Sequence, residues 1–159
     1  MTWDDVHTAL MARIAAVNGM GGFTFNFSAT GAITRSQPGA APWDTMPQVP
    51  VCQAGGMTTE APELTAWEIR ERFEIAAIVP PGVLAGTVDD ADGRIRSAEV
   101  AAEDIENAII ADRTLGANVH DLRISAVEAL DGASIANVGC PVGIIYLVVE
   151  TMRYKQGVP

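Results

Sequence analysis

The chain is poor in the residues that most enzymes and metal proteins lean on. Of its 159 residues two are cysteine, two are histidine and one, Lys155, is lysine. Cys52 and Cys140 lie far apart, form no CxxC and have no histidines at zinc spacing. They read as free, buried thiols. Nucleophilic catalysis needs a base beside the nucleophile. His7 and His120 are the candidate bases, no GxSxG elbow is present, and neither cysteine adjoins a histidine. His7, near the start of a helix, and His120, near the start of a strand, are expected to be partly exposed structural residues. Long apolar runs are missing as well. Val142–Val149, the longest, is too short to span a bilayer. Met1–Asp5 has no basic stretch feeding an apolar one, so no secretory leader is expected. These absences point to a chain that is not an enzyme, carries no cofactor and enters no membrane.

Cations are scarce too. Twenty acids face ten bases, for a formal charge of −10. Residues 60–112 hold 13 acids against Arg70, Arg72, Arg94 and Arg96, a net charge of 4 − 13 = −9. Phosphate binding draws its free energy mainly from counterion release by clustered cations. No such cluster is visible in the sequence, so specific nucleic-acid binding is not expected.

What is present suits one domain of 1–159: 48% apolar and 19% charged residues, enough to bury a core without a disulfide or metal. Asp4 and Asp5 open a helical pattern of Val6, Leu10, Ile14 and Val17, closed by Asn18-Gly19. Phe23–Phe27 alternates and reads as a strand. Residues 28–65 carry five of the nine prolines and read as long loops, with a short strand, Val49–Gln53, pairing back on Phe23–Phe27. Trp67–Val79 is the next strand, with Trp67, Ile69, Phe73, Ile75, Ala77 and Val79 on one face and Glu68, Arg70, Arg72 and Glu74 on the other. After a turn at Asp89–Gly93, a second helix of about 25 Å runs roughly from Arg94 to Ala111, with Ile95, Ala98, Ala102, Ile105 and Ile109 as its stripe. A connector, Asp112–Asn118, leads to a strand around His120–Leu130. Asp131-Gly132 turns the chain, and Val142–Tyr154 is the last strand. The expected fold is α+β, a mostly antiparallel sheet packed against two amphipathic helices.

Two motifs invite a chemical reading. Aligning Gly93 with the glycine of an EF-hand loop puts Asp90, Asp92 and Glu99 at ligand positions, but the first ligand position then falls on Val88, which cannot coordinate. A turn feeding an acidic helix start explains the same residues. Gly19-Met20-Gly21-Gly22 precedes a strand, whereas a dinucleotide loop follows one and opens a helix.

Surface positions carry more. Trp43 and Met46 in a proline-rich loop, Met57 in a glycine-flanked one, and Leu115 in a short polar turn are candidate partner-interface residues, or else loop residues folded back on their own core. For Leu115 the inward reading is favoured. Glu99, Glu103 and Glu106 recur three to four apart and share one helix face, either as solvated charge or as a source of negative potential.

The segment Arg96–Ile109, followed by Asp112-Arg113-Thr114-Leu115-Gly116 and Asp121, and the ending Glu150-x-x-Arg153-Tyr154, resemble tail terminator and neck proteins of long-tailed phages and gene-transfer-agent particles. The match covers roughly residues 66–159, and Ser28–Thr65 departs from the family pattern. The resemblance implies a ring-forming subunit of the virion tail or neck, most often a hexamer, assembled in the host cytoplasm. Such a ring caps the tail tube protein, joins it to the head–tail connector and neck proteins, and lets DNA through without binding it. It implies no cofactor and no reaction. The candidate acids Glu99, Glu103 and Glu106 would then face the channel. A head-completion, connector or tail-tube subunit is the neighbouring alternative. A small ligand-binding or enzymatic α+β oligomer is the alternative from another class.

Overall fold

The computed structural model describes residues 2–28, 32–35, 47–82, 84, 86–135 and 138–157. Helix α1 spans Trp3–Ala15 and is started by a capping box, in which the Thr2 hydroxyl accepts from the Asp5 amide and the Asp5 carboxylate accepts from the Thr2 amide. Strand β1 is the two residues Ile33–Thr34, β2 is Val49–Ala61 and β3 is Ala66–Val79. Helix α2 follows at Ala91–Ile110, then β4 at Asp121–Asp131 and β5 at Gly143–Gln156. The strand order is β1-β2-β3-β5-β4. All pairings are antiparallel except the short β1–β2 contact. The expected α+β architecture of two helices against a mostly antiparallel sheet is what the chain adopts. No helix among the described residues is long and apolar enough to cross a membrane.

Both helices lie on one face of the sheet. Val6, Leu10 and Ile14 of α1 and Ala98, Ala101, Ala102, Ile105 and Ile109 of α2 share one core with Phe73, Ile75, Ile145, Leu147 and Val149 of the central strands. Helix α2 comes unusually close to β5. A Cβ on Gly143 would lie 2.7 Å from the Arg94 carbonyl oxygen, so only glycine permits that approach. The same helix end is pinned by charge. The Arg94 guanidinium donates through Nε and Nη2 to the two carboxylate oxygens of Asp131, at 2.7 and 3.2 Å, and through Nη1 to Asp89 at 2.8 Å.

Several expectations are corrected. Phe23–Phe27 is not a strand. Its burial alternates, with Phe25 and Phe27 fully buried and their rings 6.0 Å apart, but a single bridge, Asn18 to Asn26, is its share of β pairing. The backbone is satisfied elsewhere: one oxygen of the Asp104 carboxylate accepts from the Thr24 and Phe25 amides at 2.9 and 2.7 Å, and the Phe27 amide donates to Val17. Accordingly Val49–Gln53 does not pair with it; β2 pairs with β3, and with β1 at its first two residues. Nor is the second half of 28–65 a loop, since β2 runs on to Ala61. Helix α2 begins three residues earlier than expected, because Asp90 is its N-cap and accepts from the Gly93 amide. The two thiols are half-buried, not buried.

The Asp104 link can be tested directly. Burial pushes its carboxyl above the usual range, against the pull of the two amides. Asp104→Ala leaves those amides without their acceptor and is expected to cost about 2–4 kcal/mol. Asp104→Asn keeps an acceptor oxygen and should cost less than about 1 kcal/mol. Paired urea titrations check both.

Candidate functional site

The helices cover one face of the sheet; on the other, Ile78 and Ile144 are buried with Val142, against Ile135, Val138 and Cys140, and the rest is left open. Register fixes what stands there. Glu68, Arg70, Arg72 and Glu74 of β3 pair with Tyr154, Met152, Glu150 and Val148 of β5. Met57 of β2 lies opposite Arg70, and Arg123 of β4 opposite Glu150. A groove of about 600 Å³ lies here, lined by Met57, Arg70, Arg72, Arg123, Glu150 and Met152 among others. The charges are laid out in pairs. Arg70 reaches Glu68 at 2.6 Å, Arg72 reaches Glu74 at 3.1 Å, and Arg123 bonds Glu150. Tyr146 joins them: its hydrogen bond to Glu74 raises the phenol above its ordinary range, and its bond to Arg72 pulls the other way. Exposed pairs of this kind contribute about 0–1 kcal/mol each, so the lattice does little for stability. Each of these three arginines is already held by a carboxylate, which makes the face a poor phosphate grip.

On the helix-covered face of the sheet, between β3 and β5, lies a polar cluster that sequence reasoning missed. Glu71 and Arg153, 1% and 5% exposed, are joined by two bonds from the guanidinium to Glu71 Oε1 at 3.0 and 3.1 Å. The Thr151 hydroxyl donates to Glu71 Oε2 at 3.2 Å. The signal was parity alone. Glu71 sits two residues from both Ile69 and Phe73, so it had to share their inward face. A pin of α1 to α2 was missed as well, in which the Arg13 guanidinium donates twice to the Ala108 carbonyl, at 2.8 and 3.0 Å.

The expected site residues fall in different places. Met57 is in β2 rather than a loop, and is 60% exposed at the groove. Leu115 is not at a surface; it is 2% exposed in the core of the chain. Trp43 and Met46 lie outside the described residues. Glu99 and Glu103 are exposed on the side of α2 away from the sheet, and Glu106, half-buried, completes the stripe. Burial, then the charge of Glu103, raises the Glu106 carboxyl. His7, expected to be partly exposed, is buried; its Nε2 is 2.7 Å from the Val51 carbonyl and its ring lies against Phe73. His120 is exposed, edge-on to Tyr154. Asp90 and Asp92 belong to the start of α2, and among the described residues no cluster of three or more His, Cys, Asp or Glu has a metal-holding geometry.

No family model matches the chain. No curated protein matches it in sequence. Among solved structures, it is similar to a chain of the virion of a native gene transfer agent (GTA) particle, with a TM-score of 0.52 and 14% identity. The similarity covers 94% of this chain and 95% of that one, so it takes in the helices and the sheet together; at this identity it is a likeness of fold.

Proposed function

We propose that this chain is a structural, non-enzymatic virion protein, a tail terminator that caps the tail tube as a closed ring and joins it to the neck of the particle. The observation that carries the reading is the end-to-end fold likeness to a chain of a gene transfer agent virion. It is joined by the family-like segment, which forms one continuous piece: α2, the Asp112–Asn118 turn and the start of β4. That turn is a compact unit. The Asp112 carboxylate accepts from the Thr114 amide and hydroxyl and from the Gly116 amide, while the Asn118 side chain donates to the Leu115 carbonyl. In this reading 1–159 is one subunit, six copies close the ring, and the tube and connector proteins are its neighbours.

A ring that conducts DNA does best without a grip on phosphate. The α2 stripe of Glu99, Glu103 and Glu106 would supply negative potential to the channel. The open sheet face, with its arginines already paired, is the other surface of suitable character. Reversing Glu99, Glu103 and Glu106 to Lys should leave folding largely intact, since Glu99 and Glu103 are exposed. It should slow DNA release several-fold at low salt, through new phosphate contacts, with the delay vanishing as salt rises. Ejection kinetics across a salt series check this. An unchanged rate at every salt concentration would remove α2 from the channel wall.

A further inference from the structure

Among the described residues β4 has a partner strand on one side only, and β2 has one on its outer side only over its first two residues. On β2, β1 covers Val49 and Pro50 and stops. Among the described residues no strand pairs with the outer edge beyond Pro50; His7 Nε2 lies 2.7 Å from the Val51 carbonyl, and Ala54–Glu60 are all exposed. On β4, the Arg113 guanidinium donates to the Leu122 carbonyl and closes the start of the edge. Beyond it, Ser125–Glu128 are exposed, with Val127 45% exposed. Edge strands left in water are ordinarily protected by lysine, proline or inward-pointing charge. Neither Ala54–Glu60 nor Ser125–Glu128 contains a lysine, arginine or proline, although the chain has ten cations and nine prolines to place. Each edge does carry a bulge, between Gln53 and Gly55 and between Ile124 and Ala126, but both bulges lie at the near end of the exposed stretch and leave the rest regular.

The two edges also match in direction. β2, β3, β5 and β4 alternate, so β2 and β4 run opposite ways within one subunit. A second copy set beside the first without being inverted brings its β2 antiparallel to the β4 already there. The alternation of the sheet then continues across the joint. Such a contact uses different edges on the two partners, repeats head to tail, and closes when the rotation closes.

We propose that the β4 edge of one copy pairs with the β2 edge of the next, through Ser125–Glu128 and Ala54–Glu60. This deepens the ring reading above and rests on it.

The test uses the full chain with Cys52 and Cys140 replaced by alanine. Cysteines are placed on the open face of each edge, at Met57 or Thr59 on β2 and at Arg123, Ala126 or Glu128 on β4, so that six combinations scan the register. Neighbouring strand positions bring Cα atoms to about 4.5–5.5 Å, within disulfide reach. The chains are oxidised in solution and in assembled particles, then run on non-reducing gels. At one or two registers, a chain with both cysteines should link into a ladder that ends at the closed ring. An equimolar mixture of the two single-cysteine chains should give dimers, and either single-cysteine chain alone should stay monomeric. Self-linking of a single-cysteine chain would mean like edges meet and would overturn the proposal. A ring visible on particles with no linkage at any register would overturn edge pairing and leave the ring standing. Absence of a ring both in solution and on particles would overturn both.

Discussion

Replacing Glu71 by alanine is expected to destabilise the subunit by about 3–5 kcal/mol, the cost typical of removing one partner from a buried ion pair. The carboxylate is 1% exposed and takes two bonds from Arg153 and one from Thr151. Alanine removes the countercharge and leaves a cavity beside a buried guanidinium. Against a total stability of about 5–15 kcal/mol that is a large share, so the variant should be recovered in poor yield and melt far below the parent. The pair is not needed for a stable core as such. The double replacement Glu71→Leu with Arg153→Met swaps the charges for apolar volume and should come out near the parent or above it. If the double variant is as unstable as Glu71→Ala, the pair fixes the fold in a way that apolar packing cannot replace.

The second large effect is at Leu115. Its side chain is buried among the core residues, and Leu115→Ala should lower stability by about 2–5 kcal/mol in the isolated subunit, as read from urea or thermal melts. The turn that delivers it is strained: Leu115, Gly116 and Ala117 take φ of 49°, 68° and 68° in succession. A non-glycine residue pays about 1–2 kcal/mol for that conformation. Ala117 is exposed, so Ala117→Gly should stabilise the subunit by relieving that strain without touching the core. A Leu115→Ala subunit with an unchanged melting point and a defect confined to tail joining would put the side chain at a subunit interface.

Both results bear on what the sequence discloses. α1, α2 and β3 were legible because each buries mainly one stripe or one face, and period then follows from burial; β5 was legible as an apolar run, because its first half is buried on both faces. Leu115 was legible as an inward-folding turn residue, though the strain that aims it was not. β2 was lost beyond Gln53 because Ala54–Glu60 are exposed on both faces of an edge strand. No alternation is imposed on such a segment, and Gly55-Gly56 reads as a break. Phe23–Phe27 failed in the opposite way. Its alternation is real in burial, but the amides that a neighbouring strand would satisfy are taken by the Asp104 carboxylate from 79 and 80 residues away. Long-range polar contacts of this kind leave no local trace. Glu71 and Arg153 illustrate the same limit: each is an ordinary surface residue by type, and pairing across β3 and β5 is what makes them a core element. Of the candidate surfaces, the α2 acids could be placed from spacing alone, since residues three to four apart must share a helix face. The open sheet face could not be, because it exists only once the strand order leaves both helices on the other side.

The position of the chain in an assembled particle tests the ring most directly. A reconstruction by electron microscopy, with this chain tagged for identification, should show six copies in a single closed ring between the tail tube and the neck. The tagged chain found in a non-cyclic setting, or in a ring that makes no contact with the tube, would contradict it.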